Sequence, residues 1–211
     1  MSKKVDYKKE FQDLYLPKTK PMLINVPPMN FIMIDGAGDP NHKEYQLAIG
    51  VLYALSYTIK MSKMSGNQPS GYYEYVVPPL EGLWWINGGA FSIKERDNWL
   101  WTSMIRQPEF VTPAVFVWAI EECRRKKPEL DLAKARFDTF SEGLCVQIMH
   151  IGPYSDEPRS LASLKDFIQA NSLIEQTGSD RKHHEIYLSD PRKTAPEKLK
   201  TVLRLPVAHA L

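Results

Sequence analysis

The chain has 211 residues, of which 27 are Lys or Arg and 25 are Asp or Glu, so its net charge is only +2. This near balance lacks the basic surface that nucleic acid or an anionic membrane would need, and we expect neither as a partner. A hydrophobic content of 43% is ordinary for a globular protein, and no run of 18 apolar residues predicts a transmembrane helix.

The N-terminus and the cysteines predict a cytoplasmic location. Residues 1–10 lack the apolar core of a signal peptide. Cys123 and Cys145 are far apart and have neither CxxC nor metal-ligand spacing, so we expect two buried thiols in a reducing compartment. His150 and His184 show no zinc spacing either, and we expect no metal and no cofactor.

Residues 1–28 are predicted to be an arm that packs on the body of the protein. A small apolar patch at 11–16 suits one helical turn, and four prolines between 17 and 28 keep the following backbone extended. We expect the remaining residues, 29–211, to form a single domain.

A strand at 29–35 and a long helix at 42–62 come next. The strand ends in the breaker-rich segment 36–41, which we interpret as a tight turn because a phosphate loop would need a third glycine and a Lys-Ser or Lys-Thr pair. Apolar residues of the helix recur every three or four positions and form one stripe. The stripe consists of Leu47, Ala48, Val51, Leu52, Leu55 and Ile59. Tyr45 flanks it and could belong to the core or to a pocket wall.

Three strands are predicted in the middle of the chain. Residues 72–77 and 83–87 read as a hairpin around a proline-containing turn, and a bend at Gly88-Gly89 precedes a strand at 99–105. These strands carry more Trp and Tyr than one core needs, and both side chains have polar tips that require partners when buried.

The tryptophans of these strands differ in the face they are expected to occupy. Side chains alternate along a strand, so Trp99 and Trp101 share one face, whereas Trp84 and Trp85 point to opposite faces. We therefore expect one residue of the Trp84-Trp85 pair to line a pocket.

The second half of the chain repeats the order of elements. A helix at 113–127 is predicted, with Thr112 as its N-cap and Pro113 at its first helical position. Residues 135–141 and 144–151 are predicted to pair as two strands. A further helix at 158–171 and strands at 183–191 and 201–207 complete the chain.

The predicted fold class is α+β, with an amphipathic helix against antiparallel strands in each half. The halves span about 29–110 and 111–211. A seam between two similar units is a frequent pocket location, so we expect a central ligand cleft there.

Glu185 is the main candidate for a functional residue. In the strand 183–191, Glu185 and Tyr187 share one face, and Ile186 and Leu188 share the other. One carboxylate beside one phenol suggests a pocket for a planar organic molecule. The alternative is that Glu185 is a surface residue or part of a salt bridge, as an isolated Glu on a strand usually is.

Several motifs resemble the GyrI-like small-molecule-binding proteins, which are related to the effector-binding domains of multidrug-sensing transcription activators. They are MHIGPY at 149–154, HEIYLSDP at 184–191 and KLKTVLRLPV at 198–207. DGAGDPN at 35–41 and LYLPK at 14–18 resemble a stand-alone subgroup without a DNA-binding domain.

This resemblance implies a duplicated sheet-plus-helix fold with a ligand cleft between its halves. In such relatives the acidic residue that matches Glu185 lies in the cleft and attracts planar, often cationic, aromatic compounds. Part of the stand-alone subgroup hydrolyses cyclopropane-bearing DNA alkylators through an aromatic cage. Residues 1–28 are too short for a helix-turn-helix, so we do not expect direct transcriptional control.

The resemblance leads to residue roles for a hydrolase. Glu185 would orient or deprotonate water, and Tyr187 or Tyr72 would donate a proton to the ligand carbonyl. The other predicted ligand-binding residues are Trp84, Trp85, Trp99, Trp101, Tyr73 and Tyr154.

Two other functions remain open at this point. The same cage would serve a protein that only sequesters aromatic cations, since Glu185 supplies a countercharge and the rings supply cation–π attraction. An inhibitory contact with gyrase is suggested only by the family name. We expect a monomer or a homodimer.

Overall fold

The computed structural model describes residues 4–86, 96–178 and 180–210. The strands in this part of the chain are β1 Met22–Val26, β2 Met29–Ala37, β3 Leu80–Ile86, β4 Trp99–Arg106, β5 Arg136–Phe140, β6 Gly143–Ile151, β7 Leu173–Glu175, β8 His183–Tyr187 and β9 Lys200–His209. The helices are α1 Tyr7–Glu10, α2 Gln12–Tyr15, α3 Lys43–Lys60, α4 Pro113–Lys126 and α5 Glu157–Ala170. None of these helices is long and apolar enough to cross a lipid bilayer.

The strands form one antiparallel sheet in the order β1-β6-β9-β8-β3-β4-β2-β5, and β7 pairs with β9 outside this path. The predicted α+β class is confirmed, and the fold is the duplicated sheet-plus-helix arrangement. Strands β8 and β3 are neighbours at the centre of the order, so residues from the two halves of the chain meet there.

The helices cover one face of the sheet, and the N-terminal arm covers the other. Ala48, Leu52 and Leu55 of α3 are buried against residues of β2, β3 and β4. Leu164 and Ile168 of α5 are buried against β6 and β9. We call this side the helix face, and the side covered by α1 and α2 the arm face.

The long helix α3 matches the predicted stripe at all positions except one. Five of the stripe residues are buried, but Leu47 is 52% exposed. The helix α4 begins as predicted, because the hydroxyl of Thr112 accepts a hydrogen bond from the backbone N–H of Val115 at 3.3 Å. Both cysteines are free thiols and buried.

The hairpin predicted for 72–77 and 83–87 is wrong. Residues 72–79 contain only an isolated bridge between Tyr75 and Val5 of the arm. Strand β3 starts directly after Pro79 and pairs with β4 and β8. The prolines lack the N–H that a ladder needs, so pairing resumes only beyond them. Asn87 and the bend at Gly88-Gly89 lie outside the described residues.

The pairing predicted between 135–141 and 144–151 is also wrong. Strand β5 pairs with β2, whereas β6 pairs with β1 and β9. The backbone of Gly143 has φ +72°, a left-handed conformation that turns the chain between the two strands instead of closing a hairpin. The arm contains strand β1 at one edge of the sheet. From the prolines, the sequence predicted extended backbone here but no strand.

Candidate functional site

The register of β8 places Glu185 on the helix face at the middle of the sheet. Its neighbours across the ladder are Gly82 of β3 and Leu203 of β9. The side chain of Glu185 is 15% exposed, so its carboxylate does not point into bulk solvent. A Cβ atom at Gly82 would lie 2.8 Å from Trp84 Nε1 and 3.2 Å from the hydroxyl of Tyr187. Glycine at this position therefore leaves room for the polar groups around Glu185.

A chain of hydrogen bonds runs from Trp84 to Glu185. The indole Nε1–H of Trp84 donates to the hydroxyl of Tyr187 at 2.9 Å, and this hydroxyl donates to Glu185 Oε2 at 2.7 Å. The direction is unambiguous because an indole N–H can only donate. On the other carboxylate oxygen, His183 Nε2 lies 3.1 Å from Oε1. Glu185 is thus held from both sides.

Aromatic rings form a wall beside this carboxylate. The ring centroid of Tyr45 is 5.6 Å from that of Trp84 and 5.0 Å from that of Trp101. Trp99 meets Trp84 edge to face at 5.5 Å. Offset and edge contacts of this kind are preferred by aromatic pairs. Tyr45, Trp84 and Trp101 are buried in the core that α3 covers.

The ring of Trp101 depends on a glycine in β2. Gly36 is its partner across the ladder, and a Cβ atom there would come within 2.1 Å of the Trp101 ring. The sequence had suggested that Gly36 forms a turn. In the structure it lies in the strand and makes space for the indole.

Tyr154 and Glu157 lie at the start of α5, on the side of Tyr187. The Tyr154 ring meets the Tyr187 ring edge to face at 6.1 Å. Glu157, the first residue of α5, has its Oε1 atom shielded from solvent without a hydrogen-bond partner.

Burial and neighbouring carboxyls control the protonation of these groups. Desolvation, together with the charge of Glu185, raises the pKa of Glu157 far above its usual range. The same two causes raise the pKa of the Tyr187 phenol. Burial also raises the pKa of Tyr154 to about 12. All three groups are therefore expected to carry their protons near neutral pH.

The structure brings together six of the residues singled out from the sequence. Glu185, Tyr187, Trp84, Trp99, Trp101 and Tyr154 share the helix face. Trp85 does not join them. It lies on the arm face, where the ammonium of Lys182 is 4.7 Å from its ring centroid.

Tyr72 and Tyr73 are likewise not brought to Glu185. The Tyr72 hydroxyl donates to the backbone carbonyl of Lys60 at 2.8 Å, and the Tyr73 hydroxyl bonds to Glu109. Both rings pack against Phe110 instead. Tyr73 and Glu109 also line a separate cavity of about 520 Å³ beside the arm, which we call the arm cavity. The strand that would have placed these tyrosines near Glu185 does not form.

Sequence reasoning missed Glu157, His183 and the two glycines beneath the rings. The alternation of β8 offered a signal for His183, since it precedes Glu185 by two residues and shares its face. Glu157 resembles an ordinary acidic residue in the first turn of a helix, and only the shielding of its Oε1 atom from solvent distinguishes it. No group of three or more His, Cys, Asp or Glu side chains in the described part of the chain is arranged to hold a metal ion.

The chain is similar to a known protein family and to several solved structures. The model of the GyrI-like small-molecule-binding domain matches residues 19–208. An uncharacterized conserved protein from Listeria innocua is 55% identical, with a TM-score of 0.95 over 97% of this chain and 100% of the other. A hydrolase from Listeria innocua is 53% identical, with a TM-score of 0.90 over 97% and 100% of the two chains.

A more distant structure has the same fold. The C-terminal domain of EcmrR has a TM-score of 0.58 over 90% of this chain and 98% of that domain, at 10% identity. No protein of curated function matches the chain.

Proposed function

Because the chain belongs to the GyrI-like small-molecule-binding family, we propose that the cleft at Glu185 binds planar aromatic xenobiotics and hydrolyses cyclopropane-bearing DNA alkylators by addition of water. The observation that carries this proposal is the arrangement of Glu185, fixed by Tyr187 and His183, beside the rings of Tyr45, Trp84 and Trp101. The hydrolase from Listeria innocua supports the reaction class.

The proposed reaction requires little covalent chemistry from the protein. In a cyclopropane fused to a conjugated dienone, water attacks the ring CH₂ carbon, and a new C–O bond forms. The strained C–C bond breaks, and its electron pair moves into the dienone, which becomes an aromatic phenol. One proton leaves the attacking water and one reaches the former carbonyl oxygen, so the charges balance.

Glu185 is suited to accept the proton from water. It is a carboxylate that is only 15% exposed and whose position is set by two hydrogen-bond partners. Positioned bases of this kind contribute roughly 10²–10⁴-fold. Tyr187 orients Glu185 rather than donating to the ligand, because its only O–H is already committed to the carboxylate. This replaces the proton-donor role that the sequence suggested for Tyr187. Tyr72 has no such role in the proposal, because it lies in another cluster.

Affinity would come mainly from the rings. Each aromatic contact contributes about 0.5–1.5 kcal/mol beyond area burial. Stacking between several rings, together with desolvation of a flat ligand, is compatible with micromolar binding, which corresponds to roughly 8 kcal/mol.

The test uses purified protein and a cyclopropane-fused cyclohexadienone alkylator. Mass spectrometry follows the appearance of the water adduct. We expect turnover above the buffer rate, and a loss of about 100-fold in the Glu185→Gln variant. Glu121→Gln is the matched control, since Glu121 is exposed on α4. Equal rates for buffer, wild type and Glu185→Gln would refute the hydrolase.

A second candidate is a protein that binds aromatic cations without turnover. It is favoured by the negative charge of Glu185 among ring faces, which attracts cations by roughly 0.5–2 kcal/mol per ring. Recovery of the cyclopropane compound unchanged, together with Glu185-dependent binding of a dye cation, would select this candidate.

A further inference from the structure

The arm cavity lies on the arm face of the sheet, and the proposed function does not use it. Its volume of about 520 Å³ falls among the roughly 300–1,000 Å³ that are typical of small-molecule sites. The described residues that line it come from the arm, the segment before β3 and the loop after β4. They are Val5, Tyr7, Glu10, Phe11, Tyr73 and Glu109.

Glu109 is the polar centre of the arm cavity. Its Oε2 atom accepts a hydrogen bond from the hydroxyl of Tyr7 at 2.9 Å and another from the hydroxyl of Tyr73. Its Oε1 atom accepts from Nη2 of Arg106 at 3.3 Å. Burial opposes the charge of Glu109, but these donors outweigh it and hold the pKa of the carboxyl below its usual range. Glu109 is therefore ionised at neutral pH, although its side chain is 63% exposed.

The rings of the arm cavity already hold one cation of the chain. The guanidinium carbon of Arg106 lies 4.6 Å from the ring centroid of Tyr7 and 4.3 Å from that of Phe11. Arg106 is buried, whereas Phe11 is 38% exposed. These rings thus attract a positive charge at short range, and Phe11 keeps ring surface that the chain does not cover.

The lining of the arm cavity favours a cationic guest. Both charged side chains among the lining residues are carboxylates, Glu10 and Glu109. Arg106 pairs with Glu109 and packs on the rings, but it is not among the residues that line the cavity. A guest therefore meets ring surface next to negative charge, which repels anions and attracts cations.

Hydrogen bonds and ring packing restrict the kind of cation. A primary ammonium has three N–H donors that need acceptors, but both oxygens of Glu109 already accept from the chain. A flat polycyclic cation needs a slot between rings, but Tyr7 and Phe11 stack on each other with centroids 5.5 Å apart. A compact quaternary ammonium needs neither, because ring faces and a nearby negative charge are enough to attract it.

We propose that the arm cavity is a second ligand site, separate from the cleft at Glu185, and that it binds compact quaternary ammonium ions. The ammonium head would lie against Phe11 and Tyr73, beside the carboxylate of Glu109. Four of the lining residues belong to the arm, so the arm would be part of a binding site as well as a cover for the sheet.

The test compares three small compounds on the wild-type protein, so it does not depend on a variant that folds. They are choline, neohexyl alcohol, which is its uncharged isostere with carbon in place of nitrogen, and ethanolamine, which has a primary ammonium. NMR titration of methyl-labelled valine follows Val5 in the cavity, with Val146 beneath α5 as the reference. We expect choline to shift Val5 but not Val146, with a dissociation constant about 10-fold or more below those of the other two compounds.

Two variants separate the contribution of the charge from that of the ring. Glu109→Gln keeps an oxygen that can accept from the phenols but removes the charge, and Phe11→Leu keeps apolar bulk but removes the ring. Each should raise the dissociation constant of choline by about 2–5-fold and leave that of neohexyl alcohol unchanged. Glu121→Gln, at an exposed site of α4, should behave as wild type.

The separation of the two sites is tested with ethidium, a planar dye cation that probes the cleft at Glu185. Ethidium should keep its affinity when choline saturates the arm cavity and also in Glu109→Gln. Displacement of ethidium by choline would place both compounds in one site and overturn the proposal. So would a choline titration without a saturable shift of Val5, or equal affinities for choline and either of the other two compounds.

Discussion

The indole N–H of Trp84 donates to the hydroxyl of Tyr187 at 2.9 Å, although the two residues are 103 positions apart in the chain. This contact forces the hydroxyl to use its single proton on Glu185, at 2.7 Å. A tryptophan of the aromatic wall therefore determines how the carboxylate is held. The packing of the Trp84 ring and the orientation of the Glu185 carboxylate are therefore linked through the phenol of Tyr187.

We predict that Tyr187→Phe damages both stability and function. The substitution leaves the Trp84 N–H without its acceptor and removes one donor from Glu185, which should cost about 1–3 kcal/mol in the free energy of unfolding. Turnover of the cyclopropane substrate should fall by about 10-fold or more, because the carboxylate loses its orientation. Urea unfolding and initial rates are the measurements. Tyr57→Phe, at an exposed tyrosine of α3, is the control, and equal effects of the two variants would contradict this account.

We predict that Tyr72→Phe and Tyr73→Phe leave ethidium affinity unchanged. Their hydroxyls bond to Lys60 and Glu109, and their rings pack on Phe110 rather than on the cleft. The measurement is a fluorescence titration of each variant. A loss of affinity in Tyr73→Phe would instead locate the ligand in the arm cavity.

We predict opposite effects of alanine at two glycines. At Gly36 the new Cβ would collide with the Trp101 ring, so Gly36→Ala should destabilise the protein by about 1–3 kcal/mol and displace a wall of the cleft. Gly50 lies in α3 with open space around it, so Gly50→Ala should stabilise by up to about 1 kcal/mol. Thermal unfolding and ethidium binding report both effects. If Gly36→Ala kept full stability and affinity, the ring would not depend on this glycine.

The arm face contains a buried charge network that predicts how stability varies with pH. His184 Nδ1 lies 3.0 Å from Glu142 Oε2, which also accepts from Arg204 at 3.0 Å. Desolvation disfavours the charged imidazole, but the Glu142 and Glu81 carboxylates outweigh it and raise the pKa of His184 to about 9. Desolvation likewise disfavours the Glu142 carboxylate, but His184 and Arg204 outweigh it and lower the pKa of Glu142 to about 2.

His184 and Glu142 contribute to the stability of the fold with opposite dependence on pH. The contribution of His184 is fully present below its unfolded pKa of 6.5 and is lost as the pH rises through about 9. That of Glu142 is present above its unfolded value of 4.5 and is lost as the pH falls through about 2. We therefore expect the free energy of unfolding to be greatest between pH 4.5 and 6.5, where both contributions are present.

His184→Gln should remove the alkaline decline and cost about 3–5 kcal/mol at neutral pH, since it removes the cation beside the buried Glu81 and one of the two cations beside the buried Glu142. Urea unfolding across the alkaline range measures both effects. The exposed His42→Gln variant should retain the wild-type profile. A wild-type stability that stays flat up to about pH 9.5 would show that this network does not control it.

The elements predicted well are those whose signals are local. The stripe of α3, the Thr112 cap of α4 and the alternation of β8 depend on residues within a few positions of one another, and all three appear in the structure. The predicted pairings failed where distant segments compete for the same strand. Strand β2 takes β5 as its partner, and the partner of β6 in the arm is β1. Loop closure and burial across the whole sheet decide such choices.

The same distinction applies to the candidate site. Strand alternation in the sequence determined that Glu185 and Tyr187 share a face and that Trp84 and Trp85 do not, because the side-chain period of a strand is two. Only the tertiary structure decided that Trp84 is the one beside Tyr187, that Gly36 and Gly82 make room for the rings, and that the Oε1 atom of Glu157 is shielded from solvent. These facts depend on which strands become neighbours and on how helices cover them, and no short stretch of chain contains that information.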